Sequence, residues 1–213
     1  MEKFRSFTKK TKIDSIKSIP KPDKVPENVS SAWRDIVVKS PPMNSSDEVK
    51  SEMMVIKRET ESRTTTDDFS ILAHDMVATQ AIRDYMDKNK LSWDVGVVNE
   101  LTDIAGQISR HFKNVFLRAS PYQLEKPLGI KINQSMDRDT DVGKTPSYPA
   151  GHSTQSRLVA EYYAKKYPDH RKGFIDAANE SGLGRIKAGW HYPSDNKAGI
   201  QLAKDILPLL ELS

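Results

Sequence analysis

Apolar residues recur at helical spacing over most of this chain. Val49, Met53 and Ile56 lie at intervals of four and three, which places them on one face of a helix. A second helix is predicted after Asp67 and Asp68, because acids suit a first turn. Its apolar face would continue through the following residues: Phe69, Leu72, Ala73, Met76, Ile82 and Tyr85.

A third and longer helix is predicted between Ser92, which can cap it, and Pro121, before which it should end. Its apolar positions recur every three or four residues: Val97, Leu101, Ile104, Ile108, Phe112 and Val115. Three more helices are predicted around residues 158–163, around residues 174–178 and from about residue 193 to residue 210. Since no segment alternates as a strand does, we predict an all-α fold, a compact bundle of about six core helices.

The first 40 residues differ from this pattern. Five prolines lie between residues 19 and 42, a density that forbids long helices and indicates an extended arm. Trp33 and the apolar residues 36–38 interrupt it. These side chains would dock the arm on its own domain or on a neighbouring subunit of a homo-oligomer, and the sequence leaves both open. We therefore divide the chain into a basic, Pro-rich arm (residues 1–40) and a helical domain (residues 41–213).

Composition narrows the function classes. Hydrophobic residues make up 37% of the chain, and no apolar run approaches the ~20 residues that cross a bilayer. No apolar stretch follows the basic N-terminus as it would in a secretory signal, and there is no cysteine for a disulfide or a thiolate site. We therefore expect a cytoplasmic protein without membrane contact.

Charge is concentrated in the arm. Residues 1–24 hold eight Lys or Arg against three acids, a net charge of +5, whereas the other 189 residues sum to −1. Because no aromatic residues are interleaved with these cations and no nucleic-acid fold is recognisable, nucleic-acid binding is not expected.

Three stretches place charged groups and imidazoles beside predicted helix breaks. They are residues 113–122, residues 149–152 and residues 185–195. Lysine and arginine supply fixed positive charge, and the Gly151 amide at a helix start supplies a backbone donor, so together the stretches can bind an anion. His152 and His191 then offer an acid and a nucleophile.

The order and spacing of these stretches resemble the phosphatidic acid phosphatase type 2 superfamily, which includes bacterial class A nonspecific acid phosphatases and vanadium haloperoxidases. The family pattern is K-x6-R-P, then P-S-G-H, then S-R-x5-H-x3-D. The third block is matched by Gly184, Arg185, His191 and Asp195, the second by PAGH at residues 149–152, and the first by Lys113 followed by SPY at residues 120–122. The resemblance covers about residues 41–207.

Two positions depart from the family pattern. Ser120 stands where the family has arginine, and its hydroxyl would bond one phosphate oxygen without the charge or the fork of a guanidinium. Arg118 lies two residues earlier and would reach the site only if the long helix ends or unwinds before Pro121. Ala150 replaces the usual serine, a milder change that removes one neutral hydrogen bond at the phosphate.

The resemblance implies a metal-independent phosphohydrolase that acts through a phosphohistidine. His191 would attack phosphorus, Asp195 would bond its other ring nitrogen, and His152 would protonate the leaving oxygen. Fixed charges and donors would hold the phosphate oxygens: Lys113, Arg185, the Gly151 amide, and Ser120 or Arg118. Metal ligation by the histidines is not expected, because both imidazoles have roles that need them free.

No cofactor is implied, and vanadate should inhibit the enzyme. The partner would be a soluble phosphomonoester or nucleotide, since the lipid phosphatases of this superfamily are multi-span membrane proteins. Two other functions stay open. Ser120 and Ala150 together favour a degenerate module that binds phosphate without turnover, and vanadium haloperoxidases use the same residues to hold vanadate.

Overall fold

The computed structural model describes residues 12–21, 24, 26–135 and 145–211. Within these ranges the chain forms eight α-helices: α1 (Asp47–Glu61), α2 (Thr65–Met76), α3 (Gln80–Lys88), α4 (Val95–Phe116), α5 (Pro121–Leu128), α6 (Gly151–Lys166), α7 (Arg171–Lys187) and α8 (Pro193–Ile206). Of four short 3₁₀ helices, two lie in the arm, one connects α6 to α7 and one extends α8. The described residues form no strand, only two isolated bridges. The predicted all-α class is confirmed.

Helix α4 shows how local capping sets the ends of the predicted elements. It starts after Asp94 rather than Ser92, because the Asp94 carboxylate accepts the backbone N–H of Val97 at 3.1 Å. It ends at Phe116, since Leu117 adopts a left-handed conformation with φ 50°. The helix therefore stops four residues before Ser120, which frees the chain to turn toward the candidate site.

The predicted apolar face of α2 is wrong. The helix starts where its acids indicate, with Thr64 and Asp67 forming a capping box. However, Phe69 and Leu72 are 71% and 58% exposed, whereas Ile71 is buried against α7 and the turn after it. The chain also breaks between Met76 and Gln80, so the predicted second helix is two helices. Contacts with distant residues decide which face of α2 is buried.

Helix α5 lies in a segment that showed no apolar periodicity. Pro121 occupies its first position, where a missing N–H costs nothing. The Ser120 backbone N–H donates to the Gln123 side chain at 2.9 Å, and Gly129 ends the helix with φ 67°. Turn and cap residues, rather than a hydrophobic pattern, account for this element.

Helix α6 is the centre of the bundle and packs against α4, α7 and α8. Its Tyr163 ring is fully buried and stacks on Trp93 at 5.7 Å, while the Tyr163 hydroxyl accepts the Asp94 N–H at 2.9 Å. The start of α4 is thus tied to the last turn of α6. In the part of the chain that the structure describes, no helix has both the length and the apolar character needed to cross a membrane.

The arm packs on its own domain. Trp33 is buried in the main core, with its ring edge to face with His111 at 5.1 Å. The backbone of Ser30 donates to Leu209 at 2.9 Å, next to a bridge between Val29 and Leu210. The sequence leaves open whether the arm docks on its own domain or on a neighbouring subunit, and in this structure it docks on its own domain. Arm residues 1–11, 22–23 and 25 lie outside the described residues.

Candidate active site

The turn from α7 to α8 places His191 and Asp195. Gly189 turns the chain with φ +79°, and Pro193 opens α8. Asp195 is the third residue of α8 and accepts the Tyr192 N–H at 2.9 Å, so its carboxylate caps the helix. The same carboxylate oxygen lies 3.3 Å from Nδ1 of His191. The four-residue spacing of the motif is therefore the geometry of a capped helix start.

Burial and charge set the protonation of this pair. Burial raises the pKa of Asp195, but the Arg118 guanidinium and the His191 hydrogen bond outweigh it and lower that pKa to about 2. Burial lowers the pKa of His191 to about 4, despite the opposing effect of Asp195. At neutral pH a neutral imidazole thus faces a carboxylate. With Nδ1–H donating to Asp195, the lone pair lies on Nε2.

His152 lies in the first turn of α6. Its Nε2 is 3.2 Å from the backbone oxygen of Asp75 and 4.0 Å from the Asp75 carboxylate. Burial, followed by the nearby Arg185 charge, lowers the pKa of His152 to about 3. The free site therefore holds a second neutral imidazole, with its Nε2–H donated to Asp75.

Two cations flank the imidazoles, the half-buried Lys113 and the buried Arg185. Lys113, near the end of α4, donates through Nζ to the backbone oxygens of Pro146 and Ser147 at 2.6 and 3.1 Å. Burial lowers the pKa of Lys113 to about 8. Arg185, in the last turn of α7, is 3% exposed and stacks on Trp190 at 4.2 Å. Both of these predicted phosphate ligands lie in the electrostatic surroundings of His191.

The start of α6 is joined to the start of α8. The Ala150 N–H donates to the backbone oxygen of Asp195 at 3.0 Å, and the Ala150 carbonyl accepts from Thr154. Ala150 is fully buried. A Cβ added to Gly151 would meet only Ser109 and Lys113, at 3.5 and 3.9 Å. The backbone at Gly151 is thus open to a ligand, whereas Ala150 serves the packing of the two helices.

Arg118 enters the site region because α4 ends early. Its guanidinium donates to Asp195 at 2.6 Å, to Ser194 at 2.7 Å and to Glu52 at 2.9 Å. It also lies over the Tyr192 ring at 3.9 Å. The long helix does end before Pro121, as a role of Arg118 at the site requires. However, Arg118 donates to the Asp195 carboxylate, which orients His191. This bond makes Arg118 a positioning residue in this structure.

Ser120 caps α5. It is 1% exposed, and its backbone bonds Gln123, whose side chain also accepts the Ser18 hydroxyl at 2.6 Å. Ser18 in turn donates to the backbone oxygen of Arg118 at 3.0 Å. The described contacts of Ser120 thus belong to the junction between α5 and the arm. Its predicted bond to phosphate stays a prediction.

Two acidic residues of this region were not predicted from the sequence to contribute to the site. Asp75 of α2 forms an ion pair with Arg185, and Glu52 of α1 pairs with Arg118. Asp75 sits on one face of α2 together with two other residues that hold the helix on α7 and the following turn: Asp67, which pairs with Lys187 at 2.6 Å, and Ile71, which packs against Trp190. This face has a spacing of four, as a helix requires.

The structure thus brings together His191, Asp195, His152, Lys113 and Arg185, with Gly151 beside Lys113. Within the described ranges, no group of three or more His, Asp or Glu side chains is arranged to hold a metal ion. Metal-independent catalysis stays a prediction.

Comparison with known proteins gives relatives that are phosphatases. No protein-family model matches the chain. An acid phosphatase of Zymomonas mobilis is 25% identical over 133 residues, which are 61% of this chain and 50% of that protein. Lipid A 1-phosphatases of Rhizobium etli and Rhizobium johnstonii are 41% identical over 54 residues, a quarter of this chain. The chain spans half or less of the length of these curated relatives.

A solved structure shares the fold. It is that of a transmembrane PAP2-type phosphatidylglycerolphosphate phosphatase from Bacillus subtilis, with a TM-score of 0.52 and 17% identity. The likeness covers 78% of this chain and 85% of that one. The helical architecture of the two chains is therefore the same, over more of this chain than either sequence match covers.

Proposed function

From the confirmed resemblance to the phosphatidic acid phosphatase type 2 superfamily, we propose that this protein is a phosphatase that hydrolyses a soluble phosphomonoester or nucleotide without a metal, through a phosphohistidine. The observation that carries the proposal is the pair of His191 and Asp195, 3.3 Å apart, with Lys113 and Arg185 beside it. A neutral, oriented imidazole among fixed cations is suited to attack a phosphate.

In the first step, Nε2 of His191 attacks phosphorus in line while the bond to the leaving oxygen breaks. His152 gives its proton to that oxygen. Lys113, Arg185 and the Gly151 amide hold the other phosphate oxygens and their charge. Asp195 accepts the Nδ1–H of His191 and stabilises the positive charge that the ring acquires.

In the second step, a water molecule attacks phosphorus and the bond to His191 breaks. His152 takes the proton of the water, which restores it for the next turnover, and inorganic phosphate leaves. To act as the acid, His152 must carry a second proton, as an imidazolium, when substrate is bound. The negative charge of the phosphate raises the pKa of a nearby imidazole, so substrate binding itself favours this protonated form.

Arg185, like Arg118, pairs with a carboxylate in this structure. Its ion pair with Asp75 occupies part of the guanidinium, and substrate phosphate would replace that carboxylate. The relative named acid phosphatase, which matches over the longer segment, favours a small phosphomonoester over a lipid. Vanadate should inhibit, because it adopts the five-coordinate geometry of phosphoryl transfer.

The test is turnover of 4-nitrophenyl phosphate and a panel of nucleotides in the presence of EDTA. We expect hydrolysis to survive the chelator and His191→Ala to lower kcat by roughly 10³-fold or more. Radiolabelled substrate should give a phosphoenzyme that resists base and is lost in acid. His170→Ala is the matched control, because His170 bonds Tyr85 at the N-terminal end of α7, whereas Arg185 lies in its last turn; the variant should keep activity within about twofold. Activity that needs an added metal would contradict the mechanism.

A second function is a module that binds phosphate without turnover. It is favoured by Arg118, whose guanidinium is held by Ser194, Asp195 and Glu52, and by Ser120, which is uncharged and caps α5. Both leave the anion with fewer charged donors than the family pattern has. Phosphate binding measured by calorimetry, without hydrolysis of any substrate in the panel, would favour this function.

A further inference from the structure

A cavity of about 200 Å³ lies beside the candidate active site, between α4 and the start of α6. It shares Lys113 and Gly151 with that site. Two more cations line it, Arg110 from α4 and Lys21 from the arm, and among the residues that the structure describes none of the lining is acidic. The cavity is therefore a positively charged extension of the place where the phosphate would bind.

Lys21 is held at this cavity by its backbone. Its N–H donates to the Asn114 side-chain oxygen at 3.1 Å, and its carbonyl accepts from the Asn114 amide at 2.6 Å. Asn114 follows Lys113 on α4. The two bonds place the Lys21 backbone next to the proposed phosphate ligand, so its side chain needs little additional ordering to meet an anion there.

Lys113 links the cavity to the catalytic side chains. Burial lowers its pKa to about 8, and the positive charges of Arg185 and Lys21 act in the same direction, against Asp195. Lys113 thus lies in the fields of one cation from the catalytic site and one from the cavity. Like charges held this close repel one another, and an anion placed among them relieves that repulsion.

We propose that this cavity binds a second phosphate group of the substrate, through Lys21 and Arg110, while the first phosphate is attacked by His191. The inference rests on the proposed phosphatase function and narrows its substrate class to bisphosphates or diphosphates. The shared Lys113 and Gly151 require the two phosphates to be close in the substrate. Ser109, Asn114, Thr145 and Gln155 add polar side chains to the lining.

The next lysine of the arm provides a contrast and a control. Lys24 lines a separate cavity together with Glu27, Glu100 and Asp103, and its surroundings favour cations over anions. Lys24→Ala therefore removes the same charge from the same arm without touching the proposed subsite.

The experiment compares 1,3-propanediol bisphosphate with the corresponding monophosphate. We expect kcat/KM to be at least about tenfold higher for the bisphosphate, beyond the factor of two that its two equivalent phosphates give. Lys21→Ala and Arg110→Ala should each lower this ratio by roughly 5- to 30-fold at low salt, the usual worth of a charge-assisted hydrogen bond. The preference should shrink as salt rises. Lys24→Ala should keep the wild-type ratio.

Pyrophosphate, assayed in parallel, separates diphosphates from bisphosphates.

Binding without turnover separates this inference from the proposed function. Calorimetry with methylenebisphosphonate and methylphosphonate should show the same preference, and the Lys21→Ala/Arg110→Ala variant should lose it. If no phosphate ester is hydrolysed but this preference is present, the phosphatase function fails and the subsite stands. A ratio near two for the wild-type enzyme, or a ratio that the double variant leaves unchanged, would overturn the subsite.

Discussion

The first and third motif blocks place charged side chains at the candidate site in different ways. In the third block, His191 and Asp195 are placed by neighbours in sequence, because one turn and one helix cap determine both side chains. In the first block, Arg118 is placed by Glu52 and by Asp195 itself, 66 and 77 positions away. A motif set by a helix start can be read from spacing, whereas one that depends on distant partners cannot.

Removal of the Arg118 charge should have the largest effect on this comparison. Arg118→Ala would leave the Glu52 and Asp195 carboxylates buried without their cation, so we expect the free energy of unfolding to fall by about 3–5 kcal/mol. Urea denaturation measures the loss. Arg58→Ala, on the exposed side of α1, is the control and should change stability by less than about 0.5 kcal/mol. A silent Arg118→Ala would mean that the two blocks do not depend on each other.

Restoring the family arginine in the first block tests whether position 120 faces the phosphate. Ser120 is 1% exposed and caps α5, so Ser120→Arg should overpack the α5 junction and lower stability by about 1–3 kcal/mol. Ser120→Thr keeps a capping hydroxyl and should be milder. Thermal unfolding measures both. A folded Ser120→Arg variant with higher kcat/KM would instead show that the arginine reaches the substrate, as the sequence pattern predicts.

The two neutral histidines predict how stability depends on pH. Their folded pKa values, about 3 for His152 and about 4 for His191, lie below the ordinary value of 6.5, so the unfolded chain binds protons first. Their contribution is fully present above pH 6.5 and is lost as the pH falls toward 4. The expected slope is about 1.4 kcal/mol per pH unit for each histidine. Urea melts between pH 7 and 5 measure it, and His152→Asn should remove about half. A flat profile would contradict the buried, neutral state.

Release of Arg185 should have the smallest effect. Asp75→Asn removes the carboxylate that substrate must replace, so we expect the inhibition constant of inorganic phosphate to fall by about fivefold. Asp75→Glu keeps the charge and should leave it nearer to the wild-type value. Competitive inhibition of 4-nitrophenyl phosphate hydrolysis measures both. Equal constants for Asp75→Asn and the wild type would show that the ion pair does not limit phosphate binding.

The parts of the fold that follow from the sequence are those governed by local rules. Helical spacing predicts α1, and its expected face is the buried one: Val49, Met53 and Ile56. Helix α2 fails the same test, since Phe69 and Leu72 point outward and Ile71 points inward. The ion pairs of Asp67 and Asp75 with α7 decide that orientation. The spacing of apolar residues within one helix does not show which other helix packs against it.

The candidate site follows the same division. The resemblance of the three ordered blocks to the family pattern indicates His191 and Asp195, and the block at residues 149–152 places Gly151 at a helix start. Glu52 and Asp75 are acids on otherwise ordinary helices, and only the packing of α1 and α2 gives them their roles. Lys113 was predicted as a phosphate ligand, but its bonds to Pro146 and Ser147 hold the loop that leads into α6, a task that no motif expresses.

The pairing of the arm with residues near the other end of the chain has a consequence for synthesis. Ser30 bonds Leu209, and Asn28 accepts the N–H of Glu211, so this part of the arm completes its backbone bonds only after residue 211 has left the ribosome. The helices between them can fold earlier, because most of their contacts are made within and between helices that emerge in order. Docking of residues 28–30 is thus a late event in folding, whereas Lys21 and Ser18 can bond Asn114 and Arg118 earlier. Nascent chains that end before Leu209 should expose residues 28–30 to proteases while α4 is already protected.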